Sequence, residues 1–158
     1  MMSFDYIFGR GTSSLLDFRE IDFQYSRKTG RIRHILDKNT HVVLFTFRPN
    51  GSVAPTTAGA SRLLSNKRIQ RKIHGAITSR PRWTITVSDG VSEVVSKGGT
   101  VFCKHVVHCD DSLCAGEDLA VLNEKGKLLA AGRAILAGPL IKQFKKGAAV
   151  KVREGTEV

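Results

Sequence analysis

Cysteine is scarce, acidic residues are outnumbered and no long apolar run occurs, and each shortage removes a class of protein. Three cysteines, Cys103, Cys109 and Cys114, are few and odd in number, so a disulfide framework is not expected and reduced thiols are the default. No stretch reaches the roughly 18 apolar residues that would cross a bilayer. Met1 to Gly11 carries Asp5 and Arg10 and lacks the apolar centre of a signal peptide, which places the expected site of action in the cytoplasm, away from membranes. G-x-S-x-G, H-E-x-x-H and P-loop patterns are all absent, so the chain is not expected to be an enzyme, and no catalytic residue is assigned.

What is present is a core and a field. An apolar content of 41% in 158 residues is enough for one ordinary domain or two small ones sharing an interface. The net charge of +11 is unevenly placed: residues 1–82 hold 15 Lys/Arg against 5 Asp/Glu, whereas residues 83–158 hold 10 against 9. A basic first half points to a polyanionic partner, nucleic acid before membrane because no lipid-inserting amphipathic helix stands out.

Along the chain, Gly9-Arg10-Gly11 reads as a turn before a short helix at Leu15 and Leu16, capped by Thr12 or Ser13. Ile21, Phe23 and Tyr25 alternate with Asp22, Gln24 and Ser26, the period of a strand with one buried face. Strands over 31–36 and 41–47 follow, joined by Asp37-Lys38-Asn39-Thr40. Arg31 and Arg33 share a face of the former with Ile35, either as a phosphate-contacting ridge or as a solvated sheet face. His34, between Ile32 and Leu36, reads as a packed or partly exposed sheet residue. Pro49-Asn50-Gly51 marks a turn, and Pro55-Thr56-Thr57 opens a helix through Leu63 and Leu64. A second helix over 66–74 buries Ile69 and Ile73 and presents Lys67, Arg68, Arg71 and Lys72, the densest basic segment. Ser79-Arg80-Pro81-Arg82 breaks the pattern, and the expected division is 1–80 and 81–158.

The second half opens with a strand from Trp83 to Val87. Ser88 or Asp89 then caps a short helix carrying Val91, Val94 and Val95, ended by Gly98-Gly99, and Val101 to Val107 reads as a buried strand. The paired glycines are a helix C-cap or, beside Lys97 and Lys104, a turn whose N–H groups hold a phosphate or nucleotide edge. Strands over 119–122, 128–134 and 149–153 and a helix over 139–144 complete a small, partly closed barrel. Cys103, His105, His108, Cys109 and Cys114 raise the question of zinc, but no C-x-x-C pair closes a tetrahedral site, so neither metal nor cofactor is expected. Cys109 beside His108 and Asp110 is a poor nucleophile by spacing, because adjacent strand residues face opposite sides.

Ser88-Asp89-Gly90-Val91, Lys97-Gly98-Gly99-Thr100-Val101-Phe102, Gly116-Glu117-Asp118-Leu119-Ala120-Val121, Leu128 to Ala134 and Lys146 to Arg153 together resemble a PUA domain, the small RNA-binding barrel of pseudouridine synthases and archaeosine transglycosylases. Asp5-Tyr6-Ile7-Phe8-Gly9-Arg10-Gly11, Thr29-Gly30-Arg31-Ile32-Arg33-His34 and Arg48-Pro49-Asn50-Gly51 resemble the segment preceding that domain in archaeal tRNA-guanine transglycosylases. The resemblance implies an α+β protein, with a small N-terminal domain carrying an antiparallel sheet followed by a PUA pseudo-barrel, and without the catalytic domain of those enzymes. It implies binding of structured RNA, tRNA first, with the RNA face at Lys97, Gly98, Gly99, Thr100, Val101, Phe102 and Lys104 and, beside them, Gly132, Arg133, Ala134, Val150 and Lys151. The basic residues Arg31, Arg33, Lys67, Arg68, Arg71 and Lys72 are expected to add to it. Two readings follow: a non-catalytic RNA-binding module assisting tRNA modification in trans, or an obligate subunit whose basic surface docks a catalytic protein.

Overall fold

The alternation at Ile21 to Tyr25 does produce a strand. In the computed structural model, which describes residues 2–157, helix α1 (Met2–Phe8) precedes β1 (Ile21–Tyr25), β2 (Ile32–Asp37), β3 (Val43–Phe47) and β4 (Val53–Pro55). These strands form an antiparallel sheet in the order β1-β2-β3-β4. The fourth strand was not foreseen; three residues ending in proline are too few for a period to show, and proline is tolerated at such an edge. Pro55 therefore closes the sheet rather than opening a helix. Thr56 is the N-cap of α2 (Thr57–Leu64), its Oγ1 accepting from the Gly59 N–H at 3.1 Å. Helix α3 (Lys67–His74) is capped in the same way by Asn66, whose Oδ1 accepts from the Arg68 N–H at 2.9 Å.

Aromatic edge contacts fix the first core. Phe4 meets Phe45 at 4.9 Å between ring centroids, and Phe8 meets Trp83 at 5.4 Å. Each such pair contributes about 0.5–1.5 kcal/mol beyond the area it buries. Trp83, with Ala120 and Leu122, belongs to this core although all three come from the second half.

The second half contains β5 (Thr84–Val87), α4 (Ser92–Ser96), β6 (Val101–Phe102), β7 (Val106–Cys109), β8 (Asp118–Leu122), β9 (Leu128–Ala134), α5 (Gly138–Gln143) and β10 (Ala148–Gly155). Their order is β6-β10-β9-β8-β5-β7, antiparallel throughout except for β5 on β8. The run from Val101 to Val107 is not one strand. It breaks at a 3-10 turn over Cys103–His105, so that β6 lies at one edge of the sheet and β7 at the other. The turn curls the sheet toward closure: Cys103 N–H donates to the Gly147 carbonyl at 3.0 Å, and Ser88 N–H donates to the His105 carbonyl at 2.9 Å. The expected cap at Ser88 or Asp89 does not form. A 3-10 turn over Asp89–Val91 leads into α4 without side-chain capping, and Asp89 instead accepts from the Glu124 N–H at 3.3 Å.

Strand β8 explains how the halves adhere. All five of its residues are buried, because Leu119 and Val121 face the barrel core while Ala120 and Leu122 face the first core. A strand buried on both faces reads as a continuous apolar run. The intervening segment is anchored as well: Arg80 is buried, donating to Thr86 Oγ1 at 2.6 Å, the Asn123 carbonyl at 3.0 Å and the Glu124 carbonyl at 2.6 Å.

Candidate nucleic-acid interface

Helix α3 carries its charge as the sequence indicates. Ile69 and Ile73, four residues apart, are buried, while Lys67, Arg68, Arg71 and Lys72 are exposed. Among the described residues no carboxylate lies within salt-bridge distance of these four. Arg68 and Lys72 line a groove of about 460 Å³ with Arg10 and the Gly9–Gly11 turn. Asp5 supports that turn by accepting from the Ser13 N–H at 2.7 Å, a bond that holds its carboxyl below the usual range.

Arg31 precedes β2 and Arg33 lies near its start, and both are exposed. They line a second groove with Thr46, Phe47 and Arg48. His34 is a sheet residue: its Nδ1 lies 3.1 Å from Thr46 Oγ1 across the β2–β3 pair.

At the end of α4 the paired glycines make a Schellman motif. Gly98 N–H donates to the Val95 carbonyl at 2.9 Å and Gly99 N–H to the Val94 carbonyl at 2.8 Å, with Gly98 at φ +94°. A Cβ on Gly99 would sit 2.5 Å from Val94 Cγ1, so only glycine fits. The turn opens onto a groove lined by Val94, Thr100, Phe102 and Lys104. Phe102 is 46% exposed, unusual for an aromatic ring with a core available. Lys97 is paired with Glu93 at 2.5 Å, a bridge exposed on both sides, which a phosphate can displace at small cost. Three expected contact residues point elsewhere. Val101, Ala134 and Val150 are at most 2% exposed and belong to the barrel core, and Gly132 is buried beneath the Lys151 carbonyl. The backbones of Gly132, Ala134 and Val150 are engaged in strand pairing and neighbouring backbone bonds, so these positions shape the barrel and do not contact a ligand directly.

Arg133 and Lys151 are direct cross-strand neighbours on β9 and β10, and Arg133 is in turn opposite Asp118 on β8. The Asp118 side chain is 2% exposed and is ion-paired with Arg48 from the first half, Nη2 donating to Oδ1 at 2.9 Å and Nη1 lying 2.8 Å from Oδ2. Burial pushes the Asp118 carboxyl upward and Arg48 opposes it.

Two families match this arrangement. The patch-forming domain C2 of tRNA-guanine transglycosylase matches residues 2–68, and the PUA domain matches residues 83–156. The chain joins a C2 domain to a PUA domain. A tRNA-guanine(15) transglycosylase of Methanobrevibacter smithii is 34% identical over 151 residues, covering 96% of this chain and 21% of the relative. That of Methanocaldococcus jannaschii is 33% identical over 158 residues, covering 100% of this chain and 22% of the relative. The chain therefore spans about a fifth of the length of these relatives. The crystal structure of hypothetical protein PH0734.1 from Pyrococcus horikoshii OT3 shares the fold, with a TM-score of 0.72 at 21% identity over 99% of this chain and 87% of that one.

The PUA cysteines serve packing. Cys103 and Cys109 lie in the barrel core, where burial pushes both thiols up and disfavours the thiolate; Cys109 Sγ donates to the Gly138 carbonyl at 3.5 Å. Cys114 is exposed. Among the described residues no three His, Cys, Asp or Glu are placed to hold a metal ion, and no helix is long and apolar enough to cross a membrane.

Four basic positions thus emerge: α3 with Arg10, the β2 ridge with Arg48, the glycine turn, and the β9–β10 row. The α3 and glycine-turn grooves share no lining residue. Sequence reasoning missed Arg10, Arg48 and Arg153. Arg48 stood beside a turn signal, and Arg153 ended an apparent strand, so neither formed a cluster along the chain.

Proposed function

We propose that this protein binds structured RNA, tRNA first, as a non-catalytic module acting in the cytoplasm. The observation that carries the reading is the α3 surface of the C2 domain, four exposed cations without a salt-bridged carboxylate, joined to a PUA domain, an RNA-binding fold. Cations left unpaired at a protein's own expense of self-repulsion are what a polyphosphate backbone neutralises, with release of counterions. The names of the relatives, tRNA-guanine(15) transglycosylases, make tRNA the RNA to try first and modification the process it assists in trans. Lys97, Thr100, Phe102 and Lys104 supply the side chains of the PUA contact, and Gly98 and Gly99 shape the turn beneath them, their own N–H groups being committed to the Val95 and Val94 carbonyls. Shape and phosphate readout suit this surface, since Phe102 is the one exposed aromatic ring at that turn.

The test is salt-titrated binding of the pure protein to tRNA, to tRNA trimmed of its 3′ end and to duplex DNA of equal charge. Tight tRNA binding that weakens on trimming and exceeds DNA binding is the expected result. Equal weak binding to all three would reduce the charge to a generic field. A second reading, docking of the C2 domain on a catalytic protein, is favoured by the exposed rings of Tyr6, Phe18 and Tyr25 in that half; it requires tRNA binding only when the partner is present.

A further inference from the structure

One carboxylate at the seam between the domains is surrounded by more cations than it can satisfy. Asp118 Oδ1 accepts from Arg48 Nη2 at 2.9 Å, while Arg48 Nη1 lies 2.8 Å from Oδ2 as an ion-pair contact without hydrogen-bond geometry. Arg133 Nε lies 3.8 Å from Asp118 Oδ1, and Arg153 Nη1 lies 3.9 Å from it, both beyond hydrogen-bond length. Arg133 Nε is moreover buried with no acceptor, a donor already stripped of water and left unpaired. Lys151, opposite Arg133, adds a fourth cation to the row. Glu154, the carboxylate that lines the adjoining groove of Arg48 and Arg153, is held by the Thr57 N–H at 3.2 Å and hydroxyl at 2.7 Å.

The backbone places Arg153 here deliberately. The β9–β10 register shifts between Val152 and Glu154, so Arg153 is the extra residue of a bulge, a device that turns a side chain out of the strand's alternation. The groove it enters, about 350 Å³, is lined by Thr46 and Arg48 of the C2 domain and by Arg153 and Glu154 of the PUA domain. Thr46 and Arg48 also line the groove of Arg31 and Arg33. The two grooves therefore adjoin at Thr46 and Arg48, with Arg31 and Arg33 on one side and Arg153 on the other.

We propose that this seam is a phosphate-binding site, in which Arg133 and Arg153 hold a backbone phosphate of bound RNA while the Arg48–Asp118 pair keeps the two domains in register around it. The proposal rests on the RNA-binding reading above. It gives the missing acceptor to Arg133, and it makes the relative placement of the domains part of the recognition surface. Guanidiniums suit the task because two N–H donors on each match phosphate oxygens.

The experiment uses the full chain, with Arg153→Gln and the double variant Arg133→Gln/Arg153→Gln. The slope of log affinity for tRNA against log salt should fall by about one for the double variant and by part of that for Arg153→Gln, whose exposed side chain makes it safe for folding. In the unmodified protein the Arg133 Nε–H resonance should shift on adding inorganic pyrophosphate and again on adding tRNA. Unchanged slopes in both variants, while neutralising α3 does lower the slope, would overturn the seam site and leave RNA binding standing. A resonance that moves with pyrophosphate and not with tRNA would overturn the assignment to RNA, identifying the anion as a free phosphate compound. Absence of tRNA binding by the unmodified chain would remove the reading on which the proposal rests.

Discussion

The two domains are similar in length and unequal in charge. In the C2 half, basic residues outnumber acidic ones three to one, and α3 presents cations without salt-bridge partners among the described residues. In the PUA half the balance is nearly even, and the exposed Lys97 and Lys142 are each paired, with Glu93 and with Asp111 at 2.6 Å. The difference separates two requirements of recognition. An unpaired field attracts any polyanion over about a Debye length; a shaped groove with a fixed backbone turn and a few placed side chains discriminates among those that arrive. On the proposed reading the C2 half supplies the first and the PUA half the second, with the Arg48–Asp118 ion pair spanning the two.

Breaking that link should have the largest effect. Arg48→Ala leaves the Asp118 carboxylate buried with only distant cations, and the folded state should lose about 3 kcal/mol, as for a buried pair deprived of one member. Urea denaturation measures it, and a loss below about 1 kcal/mol would mean that the apolar contacts of β8 alone join the halves. Next comes the field itself. Lys67, Arg68, Arg71 and Lys72 all changed to Gln should weaken tRNA and duplex DNA alike, by about 100-fold at physiological salt, with a shallower salt slope; a selective loss of tRNA alone would place discrimination on α3. The converse substitution is Gly98→Ala, which strains a φ of +94° by about 1–2 kcal/mol. It should lower the preference for tRNA over DNA and leave the salt slope unchanged. The smallest effect is on pH. Burial is the main cause that holds His34 and His108 below the ordinary 6.5, one in each domain. Their unfolded forms take up protons first on acidification, so stability is full above 6.5 and declines as pH falls from there through the depressed folded values. His34→Gln should flatten the C2 share of that decline in denaturation curves taken between neutral pH and about pH 5.

Much of the fold was legible because it rests on short-range patterns. The isoleucines of α3, the alternation of β1 and the apolar run of β8 each carry their structure within a few residues, whereas Asn66, read as part of the helix, is its N-cap. The failures share one cause. Val101 to Val107 has the composition of a strand, yet closing the barrel requires a turn at Cys103, so tertiary geometry overrode propensity there. Val53 to Pro55 is a strand only because β3 offers it a partner. Among the expected contact residues, Lys97, Thr100, Phe102 and Lys104 are exposed, whereas Val101, Ala134 and Val150 fill the core; resemblance identifies a segment but not which side of it faces out.

Composition and local pattern by themselves determined short strands and helices in both halves, a basic first half and a glycine turn able to end a helix. These depend on residue type and near-neighbour spacing, which the chain carries wherever it goes. The α+β class with a PUA barrel came from the resemblance of its motifs. Which cations face one another was decided by the tertiary structure alone. Arg48, Asp118, Arg133 and Arg153 are brought together from three strands of the barrel and the end of one strand of the neighbouring sheet. Their proximity follows from strand order, from a one-residue bulge and from the docking of β8 between two cores, all non-local interactions that no spacing along the sequence records.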